Sequence, residues 1–199
     1  MFRYYNLRQR CAALETSLVQ LSNGSEVLQL LECCYYCIVL ESSQGINALG
    51  NKLSASGITH TRDLAYFTGV TSVDYAFRSG SIIEAILPPN VTEMKRGNFE
   101  GGSNMKAIVI TAGVTSIQSR QFYGCNKNPA IIHLSETPPT YASGTSILSY
   151  CNGTIYVPDD SISAYKAADV WSSVASRIYG FSQLAIDHPD YYERYVNQG

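Results

Sequence analysis

The sequence predicts an α+β fold in three parts: a helical N-terminal region, a solenoid of short repeats, and a helical C-terminal cap. A repeat of about 23 residues runs from Val70 to Val157, a period typical of solenoids because one such unit cannot bury its own apolar face. Heptad spacing marks the N-terminal region, and a helical apolar period follows Pro158. We therefore divide the chain into residues 1–66, 67–158 and 159–199.

Two heptad seams predict the first helices. Residues 7–21 carry a seam at Leu7, Cys11, Leu14, Leu18 and Leu21. After Asn23 and Gly24, Ser25 can cap a second helix, whose seam is Val27, Leu31, Cys34 and Ile38. The second seam is displaced by one residue from the first. Two alternatives follow: a homotrimeric stalk through residues 7–41, or a helical pair that folds back over the end of the solenoid.

A third helix is predicted between Ser42 or Ser43 and Gly57, because glycine tolerates the left-handed conformation that ends helices. Thr61 is expected to cap a short helical turn that leads into the first repeat. Residues 1–66 are therefore interpreted as an assembly or anchoring region.

Three columns of residues define the repeat. Isoleucines recur at spacings of 22, 23 and 24, at Ile86, Ile108, Ile131 and Ile155. Valines and phenylalanines recur in the same order, at Val70, Val91, Val114 and at Phe77, Phe99, Phe122. Small residues follow each phenylalanine by three positions, at Gly80, Gly102 and Cys125. We expect these columns to face one shared interior, with Cys125 as a small buried filler.

The last part of the chain changes period. Residues 159–181 read as helix with Tyr165, Val170, Trp171, Val174 and Ile178 on the apolar side. Asp159, Asp160 or Ser161 is expected to cap that helix. The segment would cover the last apolar repeat, as solenoid ends require. The final polar, tyrosine-rich residues predict a short exposed helix or tail.

The repeats NVTEMKRGNFEGGSNMKAIVIT and GVTSIQSRQFYGCNKNPAIIHL resemble the surface-antigen, or BspA-like, type of leucine-rich repeat, and the segment IYVPDDSISAYKAADVWSSVASRI resembles its C-terminal cap. The resemblance covers residues 67–181 and implies a leucine-rich-repeat β-solenoid without shared catalytic residues. After His133 the pattern degrades, which predicts an irregular loop in one repeat. The residues GINALGNKLSASGITHTRDLAYFTGV look like short helical modules of phage tail and fibre proteins.

The resemblance implies that the protein recognises and binds a partner molecule. We expect a non-enzymatic virion protein, a phage tail fibre or tail-associated appendage, whose partners are other copies, other virion proteins, and a host-surface protein or glycan. The alternative is a bacterial cell-surface or secreted adhesin that binds matrix or cells. The N-terminus lacks the apolar core and cleavage site of a secretory signal, so the chain acts without that route or an upstream leader is missing.

The composition of the chain argues against several classes of partner and activity. With 14 basic and 16 acidic residues, no basic stripe indicates nucleic acid. The sequence contains no apolar run of about 18 residues, so we expect no membrane insertion. The Cys33–Cys37 cluster lacks a second Cys or His pair, so no metal or other cofactor is expected. His60, His133 and His188 have no predictable nucleophile beside them, so we expect no enzyme and no catalytic residue.

Tyrosines supply the candidate binding residues. Tyr75 and Tyr123 flank the phenylalanine column, where side chains can point outward between repeats. Tyrosine offers rigid amphipathic area to partners. We take Tyr75, Tyr123 and Arg120 as candidates, against the alternative that these tyrosines pack on neighbouring repeats with the hydroxyl at the rim.

Overall fold

The computed structural model describes residues 61, 70–78, 82–125, 127–142 and 147–197. The N-terminal helices, the proposed trimer segment 7–41, His60 and Gly80 lie outside this part. Nine short strands, three α-helices and two 3₁₀ turns make up the described residues. The strands are β1 Ser72–Val73, β2 Glu84–Ile86, β3 Glu93–Met94, β4 Ala107–Ile110, β5 Ser116–Ile117, β6 Ala130–His133, β7 Thr140–Tyr141, β8 Thr154–Val157 and β9 Ile178–Gly180. The helices are α1 Ile162–Ala167, α2 Phe181–Asp187 and α3 Pro189–Tyr195, and the 3₁₀ turns are Asp159–Ser161 and Trp171–Arg177.

Consecutive repeats pair in parallel in two separate sheets. One sheet has the order β1-β3-β5-β7, and the other has the order β2-β4-β6-β8-β9. Every neighbouring pair is parallel, so each repeat from β1 to β8 adds one strand to each sheet. The predicted repeats are therefore confirmed, their strands pair in parallel, and the degraded repeat after His133 still contributes β7.

The structure confirms the predicted isoleucine column for three of its four members. Ile108, Ile131 and Ile155 are register partners and are fully buried. Ile86 was placed wrongly, because Ala85 pairs with Ile108 while Ile86 pairs with Val109. A shift of one residue turns a side chain to the other face of a strand. The same register places Leu87 in one column with Ile110 and His133.

The phenylalanine column is confirmed. The rings of Phe77 and Phe99 stack with centroids 5.2 Å apart, and those of Phe99 and Phe122 with centroids 5.8 Å apart. All three side chains are fully buried. Each buried ring contributes about 1.5–3 kcal/mol to stability, so this stack is a main element of the interior.

Buried amides link the repeats beside the phenylalanine stack. Asn98 Nδ2 donates to the carbonyl oxygens of Val73 at 3.2 Å and Lys95 at 2.8 Å. Asn98 Oδ1 accepts from the N–H of Ala76 at 3.0 Å, and Gln121 Oε1 accepts from Asn98 Nδ2 at 3.0 Å. Because both side chains are fully buried, these bonds satisfy turn backbone that would otherwise be unpaired.

The C-terminal cap covers the last repeat as predicted, with one added strand. Trp171 is fully buried, and its Nε1 donates to the carbonyl oxygen of Pro139 at 2.8 Å. The Tyr165 hydroxyl donates to the carbonyl oxygen of Ser135 at 3.0 Å. The prediction of helix across Ile178–Gly180 is wrong, because these residues form β9 beside β8.

Asp159 caps a different helix from the one expected. Neither Asp159, Asp160 nor Ser161 caps α1 with its side chain. Instead, the Asp159 carboxylate accepts from the backbone N–H of Ser182 at 3.1 Å and from the Ser182 hydroxyl at 2.6 Å. These bonds satisfy the first turn of α2, so Asp159 fixes where that helix starts.

The tyrosine-rich tail is not the exposed segment that the sequence predicts. Tyr191 and Tyr195 of α3 are only 8% exposed. They pack on the outer face of the five-stranded sheet, because that face is apolar and needs a cover. No helix of the described residues is long and apolar enough to cross a membrane.

Candidate interaction surface

The chain covers the outer face of its five-stranded sheet with its own C-terminal helices. Leu184 of α2 and two tyrosines of α3 lie on this face, and Ile86 packs at its border. The buried members of the cluster are Ala107, Val109, Ala130, Ile132, Tyr156, Leu184, Tyr191 and Tyr195. A partner cannot reach this face while the helices are in place.

Polar contacts at both ends hold that cover. Glu84 of β2 accepts hydrogen bonds from the Tyr195 hydroxyl at 2.5 Å and from Arg194 Nη1 at 2.8 Å. Burial and the Glu84 carboxylate both raise the pKa of the Tyr195 phenol. Near the other end, the Tyr156 hydroxyl donates to Asp187 at 2.9 Å. Hydrogen bonds from Gln183 and Tyr156 hold the pKa of Asp187 below its usual value.

A different surface remains open along the turns that follow the four-stranded sheet. We call it the turn ridge and define it as Tyr75, Arg78, Glu100, Arg120, Tyr123 and Tyr150. At its N-terminal end the Arg78 guanidinium lies over the Tyr75 ring, 5.4 Å from its centroid. The Tyr75 ring also packs on Gly97 of the next repeat, where an added Cβ would lie 2.9 Å from Tyr75 Cε1.

Charge and aromatic contacts continue along the ridge. Glu100, whose side chain is 11% exposed, forms ion pairs with Arg120 and with Arg78, the latter at 3.6 Å. The Arg120 guanidinium lies over the Tyr123 ring, 4.4 Å from its centroid. Tyr123 meets Tyr150 edge to face, with centroids 5.2 Å apart. The six residues therefore form one connected row across consecutive repeats.

Tyr150 stands out on this ridge. It is 77% exposed and has φ 54°, a left-handed conformation that costs a side-chain-bearing residue about 1–2 kcal/mol. Gly101 and Gly124 hold the equivalent place in the two preceding repeats, directly before Gly102 and Cys125. The strain at an exposed aromatic side chain makes Tyr150 a candidate for a functional role.

The structure brings all three sequence-predicted candidates onto this ridge. Tyr75 lies at one end, and Arg120 contacts Tyr123 directly; their role in binding stays a prediction. Sequence reasoning missed Arg78, Glu100 and Tyr150. The replacement of glycine by tyrosine before Cys151 is the signal that could have found Tyr150.

The described histidines lie in packed surroundings. His133 is fully buried, and neither ring nitrogen has a hydrogen-bond partner among the residues that the structure describes. Its ring meets Trp171 and Tyr165 edge to face at 5.0 and 5.9 Å. Burial lowers the pKa of His133 to about 3. His188 stacks on Tyr191 with centroids 5.3 Å apart.

The two described cysteines are buried and free. Cys125 donates to the carbonyl oxygen of Phe99 at 2.9 Å. A hydrogen bond with Cys151, together with burial, raises the pKa of the Cys125 thiol, which opposes the thiolate that a nucleophile needs. Within the described ranges no group of three or more His, Cys, Asp or Glu side chains could hold a metal ion.

Comparison with known proteins bears on the repeats. No curated protein is similar enough to this chain to count as a match. Residues 62–152 match the model of the BspA type leucine rich repeat region, in six copies. Leucine-rich repeats generally serve as non-enzymatic binding modules. The match and the parallel strands together support a BspA-like leucine-rich-repeat region in this chain, with a role in protein or surface binding.

Proposed function

We propose that this chain is a non-enzymatic recognition protein of a virion, a phage tail fibre or tail-associated appendage, whose repeats form a solenoid that binds the host surface. The BspA-type repeats support the binding role. The likeness of residues 45–70 to helical modules of tail proteins favours the virion over a bacterial envelope.

The observation that carries the proposal is the contrast between two surfaces. The apolar sheet face is covered by α2 and α3, whereas the turn ridge exposes tyrosine and arginine side chains. Tyrosine and arginine are, with tryptophan, enriched in binding hot spots. The ridge is therefore the recognition surface in this proposal.

Assembly would strengthen recognition. In the proposal, residues 7–41 join three copies into a stalk and present three ridges at once. Linked weak sites bind about 10²–10⁴ times more tightly than single ones when all can engage together. Modest affinity at each ridge would then suffice for attachment.

Two measurements test the proposal. Immunogold labelling with antibody against the full chain is expected to mark phage particles, and the labelled chain is expected to bind host cells in flow cytometry. Gold on bacterial envelopes alone would replace the virion proposal with the alternative, a bacterial cell-surface adhesin. Absence of binding to any bacterial or host cell would overturn the recognition function.

A further inference from the structure

We propose that the turn ridge binds an acidic polysaccharide, with Tyr123 and Tyr150 stacking on sugar rings and the arginines binding sugar carboxylates. The inference rests on the proposed recognition function and specifies its ligand class. Four features of the ridge carry it: charge, an unsatisfied donor, linear arrangement and backbone strain.

The charge of the ridge favours an anionic ligand. Arg78 and Arg120 are on the ridge, and Arg177 donates to the carbonyl oxygen of Cys151 at 2.7 Å, next to Tyr150. Glu100 is the single carboxylate among the six ridge residues. The two arginines and Glu100 therefore give the six ridge residues a formal net charge of +1 (2 − 1), with Glu100 ion-paired to both arginines, on a chain whose formal net charge is −2. Arginine binds carboxylates through two parallel hydrogen bonds, which gives both strength and orientation.

One donor on the ridge lacks a partner within the described part of the chain. Arg120 pairs with Glu100 through Nη2, while its buried Nε has no hydrogen-bond partner among the described residues. Unsatisfied buried donors cost about 1–3 kcal/mol. A small rotation that brings Nε to a ligand carboxylate would recover that cost, while the guanidinium keeps its contact with Tyr123.

The linear arrangement fits a polymer. The ridge residues come from consecutive repeats, whose parallel strands lie about 4.8 Å apart. The row therefore presents rings and charges at intervals along one line. A polysaccharide with a carboxylate on successive sugars repeats its chemistry in the same way, whereas an acidic patch on a folded protein does not.

Tyr150 supplies the most accessible ring. Its side chain is 77% exposed, at a left-handed backbone position that Gly101 and Gly124 hold in the two preceding repeats. The flat faces of tyrosine and of a pyranose ring are both apolar, and their hydroxyls lie at the edges. The ring can therefore stack on a sugar while arginine side chains bind the sugar's carboxylate.

The test uses the full chain and two immobilised probes, polygalacturonate and polysialic acid. Biolayer interferometry at low and high salt measures affinity. Methyl-esterified polygalacturonate keeps the sugar and removes the charge, and polyglutamate keeps the charge and removes the sugar. We expect binding to at least one acidic polysaccharide, at least tenfold weaker binding to polyglutamate and to the methyl ester, and weakening by salt.

Two ridge variants and one control locate the site. Tyr150→Gly removes the ring at a backbone position that suits glycine, and Arg120→Gln removes a charge. Each is expected to weaken binding at least tenfold, and Arg120→Gln also to reduce the salt dependence. Ile186→Ser changes a side chain that is 74% exposed on α2, away from the ridge, and is expected to stay within twofold of the wild type.

The outcomes separate the two proposals. Binding to neither acidic polysaccharide, equal binding to polyglutamate, or unchanged binding by both ridge variants would overturn the ridge proposal. If the chain nevertheless binds cells, the recognition function stands and its ligand is of another class. If the chain binds no cells, the recognition function itself fails.

Discussion

His133 is one side chain whose protonation is expected to destabilise the fold in acid. Burial lowers its folded-state pKa to about 3 from an ordinary value of 6.5. Below pH 6.5 the unfolded chain therefore binds a proton at His133, whereas the folded chain binds it only as the pH approaches 3. The stabilisation is complete above pH 6.5 and is lost as pH falls towards 3, at about 1.4 kcal/mol per unit.

We expect His133→Leu to remove about 2 kcal/mol of the loss in unfolding free energy between pH 7 and pH 5. Leucine fits a column that already holds Leu87, Ile110 and Val157. Urea denaturation at both pH values, followed by the fluorescence of Trp171, measures the difference between variant and wild type. Equal pH dependence in the two proteins would show that burial does not lower the pKa of His133 in the folded state.

Tyr150 allows the backbone strain to be measured directly. Tyr150→Gly relieves the left-handed strain but loses the contact with Tyr123 and adds unfolded-state entropy, so we expect stability within about 1 kcal/mol of the wild type. Tyr150→Val also loses the ring, and its β-branched side chain is strained at this φ, so we expect it to be about 1–2 kcal/mol less stable than Tyr150→Gly. Equal stability of the two variants in urea titrations would argue that residue 150 does not have a left-handed backbone.

At the scale of elements, Glu84 in the first strand of the five-stranded sheet accepts two hydrogen bonds from α3, one from Tyr195 and one from Arg194. Tyr195→Phe removes the hydroxyl that donates to Glu84 and leaves the bond from Arg194. We expect a loss of about 1–2 kcal/mol and faster amide exchange in α3 than in β4 and β6. Tyr192→Phe, on the same helix and only partly buried, is the matched control. Faster exchange in all three elements would mean that α3 opens only with global unfolding.

The elements that the sequence predicts correctly are those whose signal is local and repeated. The phenylalanine column recurs at nearly constant spacing, so three stacked rings follow from the pattern. The predicted register of Ile86 is wrong because Ala85 and Ile86 are both apolar and the repeat length varies, so the pattern does not show which of the two aligns with Ile108. β9 and the burial of α3 depend on contacts with distant strands. Tyr150 was not identified from the sequence for a related reason. The following Cys151 lies 26 residues after Cys125, whereas the usual spacing of that column is about 23 residues.

At the scale of the whole molecule, the oligomeric state decides how much one ridge must contribute. Leu14 and Leu18 belong to the predicted seam of residues 7–21, and a charge placed in such a seam disfavours association. We expect the wild type to be a trimer by light scattering and Leu18→Glu to be a monomer. Ser17→Glu, one position away and off the seam, should remain a trimer.

The same pair of variants tests avidity. Because the substitutions are far in sequence from the ridge, Leu18→Glu should keep the affinity of one ridge for a soluble acidic oligosaccharide. Its binding to whole cells should fall by about 10²-fold or more, since three linked sites become one. Ser17→Glu should bind cells like the wild type. Cell binding by Leu18→Glu at wild-type strength, or a monomeric wild type, would show that attachment does not depend on a trimeric stalk.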